Sequence, residues 1–159
     1  MPARKIDPEV KFANSTEWQG ACLIWTAGRS PLGYGRIRVN GRGARAHRYA
    51  WERVNGPIPE GMVIDHTCHN PPCVNVAHLR LATLAENMRN RNGAHRTNRL
   101  GVRGVVYDRG RYRARYWFGG KQVHVGTYAT LDEAARAVEV ARTAAFGEFS
   151  GNTRRTNVF

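Results

Sequence analysis

The stretch Ile64–Asn87, IDHTCHNPPCVNVAHLRLATLAEN, decides the fold of the first half of this chain. The apolar residues that lead into it predict a β-strand that ends at His66. A loop stiffened by two adjacent prolines follows. From Leu79 the apolar spacing predicts a helix, with these residues on one side: Leu81, Leu84, Ala85 and Met88. Asn87 is then expected two turns into that helix, and the loop is expected to bring it face to face with His66.

The loop carries potential metal ligands at equal spacing, Cys68-x4-Cys73-x4-His78. Cys22 lies upstream on a predicted strand that would reach them. Three thiolates and one imidazole form the tetrahedral set that structural zinc prefers, with no position left open for water. Zinc would stabilise a loop that is too small to fold by burial alone. The alternatives are two inert buried cysteines, or His69 as a competing ligand.

His66 and Asn87 also fit the chemistry of phosphodiester hydrolysis. That reaction needs a base for water, a cation on the developing charge and donors to the phosphate oxygens. A neutral His66 suits the first role, and Asn87 and Asp65 offer hard oxygen ligands for Mg²⁺. One of four upstream arginines would supply the donor: Arg36, Arg38, Arg45 or Arg48.

The pattern DH-x-C-x4-C-x-N-x2-HL-x7-N resembles the HNH and His-Cys-box endonucleases, which share a ββα-metal fold. The upstream segments YGRIRVNG and AHRYAWE are similar to the HNH homing endonucleases of phages and introns. The resemblance implies that His66 is the general base and Asn87 the Mg²⁺ ligand. Asp65 would be a second Mg²⁺ ligand, and Asn75 would brace the loop by hydrogen bonds. It also implies the following zinc ligands: Cys22, Cys68, Cys73 and His78.

The composition points to a polyanionic partner. The 25 Lys and Arg residues against 12 Asp and Glu give a net charge of +13. Both halves are basic, with 14 cationic and 7 acidic residues in 1–96, and 11 and 5 in the remainder. Lysine and arginine displace the counterions condensed on a phosphate backbone. The simpler alternative is a surface of solvated charges.

The chain is predicted to be intracellular, in the cytoplasm of a bacterium or in a phage-infected cell. No apolar run approaches the roughly 20 residues of a membrane span, and the first five residues do not begin a signal peptide. Three cysteines make an odd count, which favours a metal site over disulfides in a reducing compartment.

The second half predicts three strands and a helix. The segment Arg111–Phe118, RYRARYWF, alternates arginine and tryptophan with tyrosine, alanine and phenylalanine, which places the two sets on opposite faces of a strand. Strands are also expected over Arg103–Asp108 and in QVHVG. Thr130 to Glu133 forms a capping box before a helix whose stripe is small and apolar: Ala134, Ala135, Val138, Ala141 and Ala145.

This half resembles the AP2/ERF DNA-binding domain over about Arg103–Thr153, through its YxGV-like start, its GTY turn and its EAARA helix. The resemblance implies double-stranded DNA as partner. A sheet of this kind can lay one face in the major groove. Its DNA-facing set would be Arg103, Arg111, Arg113, Arg115, Trp117, Gln122 and His124, with Arg36 and Arg38 as further contacts from the first half.

We therefore predict an α+β protein with three segments. A zinc-stabilised HNH domain occupies 1–92, a basic linker 93–101 and an AP2-like domain 102–159. The predicted function is Mg²⁺-dependent cleavage of double-stranded DNA by a monomer or homodimer, in which Arg45 is one candidate for the phosphate contact. Two alternatives stay open: a sequence-specific DNA-binding regulator with an inactive nuclease fold, and a zinc-bearing structural or RNA-binding protein.

Overall fold

The computed structural model describes residues 6–151. The chain divides into two compact units, Met1–Leu84 and Ala85–Phe159. The predicted domain boundaries at 92 and 102 stay a prediction. The five residues considered for a signal peptide, and the end of the AP2 resemblance at Thr153, lie outside the described residues.

The first unit begins with helix α1 (Pro8–Ala13) and two antiparallel hairpins. Strand β1 (Thr16–Gln19) pairs with β2 (Cys22–Trp25), and β3 (Arg36–Val39) pairs with β4 (Arg42–Arg45). The Asn40-Gly41 turn joins the second pair, and both residues take positive φ, 50° and 81°. Helix α2 (Ala46–Asn55) follows directly and ends at Gly56.

The central stretch folds as two strands and a short helix. Strand β5 (Met62–His66) pairs with β6 (Leu79–Thr83), a 3₁₀ turn (Val76–His78) precedes β6, and helix α3 (Leu84–Arg89) follows it. The prediction of a helix from Leu79 is wrong. Leu79 and Ala82 are buried in a strand paired along its whole length with β5. Asn87 is the fourth residue of α3, one turn into the helix rather than two.

The core of the first unit forms around Trp25, which is completely buried. Phe12 of α1 lies with its ring centroid 5.9 Å from that of Trp25. Gly35 permits the approach of strand and helix, since a Cβ there would lie 2.7 Å from the Trp25 ring and 2.8 Å from Ala46. The remaining buried core residues are Ile37, Ala46, Ala50, Ile64, Val74 and Leu79.

The second unit contains the predicted sheet and helix. Strands β7 (Val105–Asp108), β8 (Arg111–Phe118) and β9 (Lys121–Tyr128) form an antiparallel sheet in that order. Helix α4 (Leu131–Phe146) starts with the predicted capping box of Thr130 and Glu133 and ends at Gly147, followed by a 3₁₀ turn (Gly147–Phe149). Alanine and valine of the helix pack on the sheet, in a core of Val102, Val105, Ala114, Ala134, Ala135 and Val138.

The stripe on α4 extends further than predicted. Arg142 and Phe146 are buried on it, while Ala141 and Ala145 are half-buried. Within residues 6–151, no helix is both long enough and apolar enough to cross a bilayer.

Candidate functional site

Four side chains converge where β2 meets the proline loop. The ligand atoms of Cys22, Cys68, Cys73 and His78 all lie within 4.8 Å of one another. The Sγ atoms of Cys22 and Cys73 are 3.5 and 3.6 Å from Nδ1 of His78. The predicted cluster is therefore assembled, and His69 lies outside it.

Main-chain hydrogen bonds join the loop to β2. The Trp25 amide donates to the Pro72 carbonyl at 2.9 Å, and the Val74 amide donates to the Leu23 carbonyl at 2.7 Å. Asn75 contributes from its side chain, because Nδ2 donates to the Ala21 carbonyl and Oδ1 accepts from the Ala77 amide. These bonds place Cys22 among ligands that are about fifty residues away along the chain.

The chemistry of the cluster suits a divalent metal. A hydrogen bond from Cys73 lowers the pKa of the Cys68 thiol to about 5 and raises that of Cys73. One thiolate is thus favoured at neutral pH, and thiolate is the form that binds metal. A closed Cys₃His set is consistent with structural zinc.

His66 ends β5 next to this cluster and is only 7% exposed. Its Nε2 lies 2.9 Å from the carbonyl oxygen of Cys73. A carbonyl only accepts, so Nε2 carries the hydrogen and Nδ1 holds the lone pair. Burial lowers the pKa of His66, which keeps the imidazole neutral at pH 7. The same loop that assembles the cysteines therefore fixes the tautomer of His66.

Two rings that the sequence analysis did not single out surround His66. The centroid of His47, on the first turn of α2, lies 4.8 Å from that of His66, and the centroid of Tyr34 lies 5.9 Å away. Burial, followed by repulsion from His66 in its protonated form, lowers the pKa of His47 to about 3. Its Nδ1 is shielded from solvent and has no hydrogen-bond partner in the described part of the chain. The sequence does carry a signal for His47, since it lies in the AHRYAWE segment that is similar to HNH homing endonucleases.

Asp65 is buried beside His66 and forms an ion pair with Arg80. Nε of Arg80 lies 2.9 Å from Oδ2 of the carboxylate. Arg80 faces Asp65 across the β5 and β6 pairing. A cation held by Asp65 would therefore share this carboxylate with a guanidinium.

The structure places Asn87, the other predicted Mg²⁺ ligand, half-buried on α3 in the second unit. Its role in metal binding stays a prediction.

Three of the four arginines considered for the phosphate contact lie on the β3–β4 hairpin, and the fourth, Arg48, lies on α2. Arg36 and Arg38 are exposed on β3, and Arg45 is exposed at the end of β4. Arg45 donates to the Ser30 hydroxyl at 2.9 Å, and its guanidinium lies 5.2 Å above the Tyr34 ring. All three line an open groove of about 1270 Å³ that also includes Lys11. This groove is a basic surface on the side of the hairpin next to α1.

The sheet of the second unit presents most of its predicted DNA-facing set. We call these residues the arginine face: Arg111, Arg113, Arg115, Trp117, Gln122 and His124. Alternation directs them away from α4, while Tyr116 and Phe118 contact Phe146 of the helix. Trp117 is 64% exposed, and Arg115 donates to Gln122 at 3.1 Å. A register shift between Ala114 and Arg115 bends the paired strands there.

Arg103 differs from the rest of the predicted set. It is half-buried, and its Nη1 donates to the main-chain carbonyls of Arg89 and Arg91 at 2.9 and 3.4 Å. Burial, and then the nearby charges of Arg142 and Arg91, lower its pKa to about 10. At least one donor of this guanidinium is therefore used within the protein.

Comparison with known proteins places this geometry in context. A family model described as "HNH endonuclease" matches residues 44–89, which run from β4 through α3. The matched segment contains the assembled loop, His66 and Asn87. This part of the chain is therefore similar to the HNH endonuclease family.

The curated relatives are phage proteins. The chain is 46% identical over 66 residues to Protein 7.7 of Escherichia phage T7, which covers 42% of this chain and 51% of that protein. It is 38% identical over 80 residues to Protein 3.8 of the same phage, covering 49% and 65%. It is 29% identical over 105 residues to Protein 2.8, covering 64% and 70%. The chain thus spans about half the length of Protein 7.7, and no solved structure matched it.

Proposed function

We propose that this protein is a metal-dependent endonuclease of the HNH type that hydrolyses phosphodiester bonds of double-stranded DNA. The observation that carries the proposal is the position and protonation state of His66. It lies inside the segment that matches the HNH endonuclease family, and it is buried, neutral and held in one tautomer by the Cys73 carbonyl.

His66 is the proposed general base. Its Nδ1 takes a proton from a water molecule as the water oxygen attacks phosphorus. The bond from phosphorus to the 3′ oxygen breaks and that oxygen takes a proton from solvent, which leaves a 5′ phosphate and a 3′ hydroxyl. A neutral imidazole is needed for the first step, and burial provides one at pH 7. An arginine of the β3–β4 hairpin, with Arg45 as the candidate, would donate to the phosphate oxygens.

Two metal ions with different roles fit the donor sets. The Cys₃His cluster has the ligands of structural zinc, and the amide oxygen of Asn87 and the carboxylate of Asp65 are hard oxygen donors suited to Mg²⁺. When bound, Mg²⁺ supplies charge stabilisation for the phosphate and the departing oxygen. The carboxylate of Asp65 already pairs with the Arg80 guanidinium, so a bound Mg²⁺ would share it with that group.

The C-terminal unit is proposed to be an AP2-like module that places the nuclease on duplex DNA. Its support is the arginine face, where cations and an exposed tryptophan lie on the side of the sheet opposite α4. Arginine can donate two hydrogen bonds to a guanine edge in the major groove, and the remaining cations neutralise phosphates. The sequence likeness to phage and intron homing enzymes makes a homing role part of the same proposal.

Cleavage of supercoiled plasmid tests the proposal. The purified chain is expected to convert supercoiled plasmid to nicked or linear product with Mg²⁺. EDTA should stop the conversion, and excess Mg²⁺ should restore it. Binding of duplex DNA without any cleavage at any divalent ion would contradict the nuclease and favour a DNA-binding regulator, the function that the arginine face alone would support.

A further inference from the structure

Two arginines of the second unit, the half-buried Arg103 and the buried Arg142, are directed at the end of helix α3. Nη1 of Arg103 donates to the carbonyl of Arg89, the last residue of α3, at 2.9 Å. Nη2 of Arg142 donates to the same carbonyl at 3.2 Å and to the Ser150 carbonyl at 2.5 Å. Two guanidinium groups from different elements thus share one main-chain acceptor.

The chain just after α3 is packed as closely as a core segment. Asn90 is buried, and its amide donates to the Glu86 carbonyl at 2.9 Å. Gly151 crosses this segment with φ +60°, and a Cβ there would lie 2.6 Å from the Arg91 carbonyl oxygen. The guanidinium groups of Arg89 and Arg142 both lie 5.1 Å from the Phe146 ring. The C-terminal end of α4 and the residues after it therefore enclose the end of α3.

These contacts stabilise a helix that is too short to be stable in isolation. The last carbonyls of a helix lack intrahelical partners and carry partial negative charge, so cations there are favourable. Helix α3 has six residues, well below the length at which an isolated helix is stable in water. Arg142 is 5% exposed, and its Nε has no hydrogen-bond partner in residues 6–151, so its burial carries a desolvation cost. The hydrogen bonds of Arg142 at the end of α3 offset part of this desolvation cost.

We propose that Arg103 and Arg142 are positioning residues for Asn87: they fix helix α3 to the C-terminal unit and so set where the amide of Asn87 is presented. The C-terminal unit then has a second task besides binding DNA, since it holds a residue that the proposed function makes a Mg²⁺ ligand. This inference rests on that proposed function for Asn87. It also changes the role of Arg103 from DNA contact to helix cap.

The test compares Arg103→Ala with Arg111→Ala. Arg111 is exposed on the arginine face and serves as the matched control. Three quantities are measured in the full chain: the exchange rate of the Asn90 amide hydrogen, the Mg²⁺ concentration for half-maximal plasmid nicking, and the salt dependence of duplex binding without Mg²⁺. Arg103→Lys keeps the charge at the cap and controls for unfolding, together with the melting temperature of each variant.

Arg103→Ala is expected to speed Asn90 exchange about tenfold and to raise the Mg²⁺ midpoint several-fold, with the salt slope unchanged. Arg103→Lys should change both quantities less than Arg103→Ala does. Arg111→Ala should do the reverse, lowering the salt slope by about one while the Asn90 exchange rate stays as in the wild type.

A fall in salt slope for Arg103→Ala, with Asn90 exchange unchanged, would overturn the positioning role and return Arg103 to the DNA interface. Faster exchange with an unchanged Mg²⁺ midpoint would overturn the link to Asn87. If the wild-type chain does not nick DNA at all, the proposed function fails, and the exchange rates still decide whether Arg103 and Arg142 cap the helix.

Discussion

In the first unit, the protonation and tautomer of individual histidine side chains are set by their surroundings. The Cys73 carbonyl assigns the hydrogen of His66 to Nε2, and burial keeps the ring neutral. His47 is neutral for the same reason, with a pKa lowered to about 3. Its Nδ1 has no hydrogen-bond partner among residues 6–151 and lowers stability, because a buried polar atom without a hydrogen bond costs about 1–3 kcal/mol.

The His47 pKa predicts acid sensitivity. The folded pKa lies below the unfolded value, so the unfolded chain binds the extra proton and stability is lost as pH falls from about 6.5 towards 3. Three groups that lower this pKa electrostatically also face the ring: His66, Arg45 and Arg48. His47→Phe keeps a ring and removes the titration.

Urea unfolding at pH 7 and pH 5 measures the effect. Between these values the wild type should lose about 2 kcal/mol more than His47→Phe. Both proteins carry the same cysteine cluster, so acid effects on the cluster cancel in the comparison. Equal losses in the two proteins would show that His47 is not neutral and buried in solution.

Local chemistry made some residues predictable. The sequence pointed to His66 and to the four members of the cluster because their spacing in one short loop is unusual. It did not point to Arg80 or Arg142. No local pattern shows that an arginine will pair with a cross-strand carboxylate or with a distant main-chain carbonyl. The contact of His47 with His66 depends on how α2 packs, which no local pattern shows.

At the scale of elements, turns were predictable and ambiguous apolar runs were not. Asn40-Gly41 identified its hairpin because few residues take positive φ at two successive positions. The run from Leu79 fits a helical stripe, yet pairing with β5 satisfies its main chain as a strand. Strand β1 gave no signal, because most of its side chains are exposed and its pairing with β2 is what defines it.

The proline loop is expected to depend on bound metal for its stability. The loop has little apolar surface of its own, so metal binding is expected to supply most of its stability. Cys73→Ser removes a completely buried ligand and should lower the bound zinc from one per chain towards none, with a large fall in the melting temperature of the first unit.

His69→Gln is the matched control, since His69 lies in the same loop but outside the cluster. It should keep full zinc content and near wild-type melting, as measured by elemental analysis and calorimetry. Zinc retained in Cys73→Ser, or lost in His69→Gln, would contradict the assigned ligand set.

At the scale of the whole molecule, each half of the chain carries a basic surface. The net charge of +13 is spread over both halves, with basic surfaces on the β3–β4 hairpin and on the arginine face. Sequence alone predicted this general character, since composition is independent of packing. It could not predict that the contacts of Arg103 lie at the end of α3, because that depends on where the end of α4 lies.

The catalytic role of His66 is the central claim, and paired rates and affinities for His66→Ala test it most directly. Plasmid cleavage with Mg²⁺ and duplex binding without metal are measured on the same preparations. We expect cleavage to fall by about 10²–10⁴ while the dissociation constant for DNA stays within twofold of the wild type. Cleavage by His66→Ala at the wild-type rate would contradict the account.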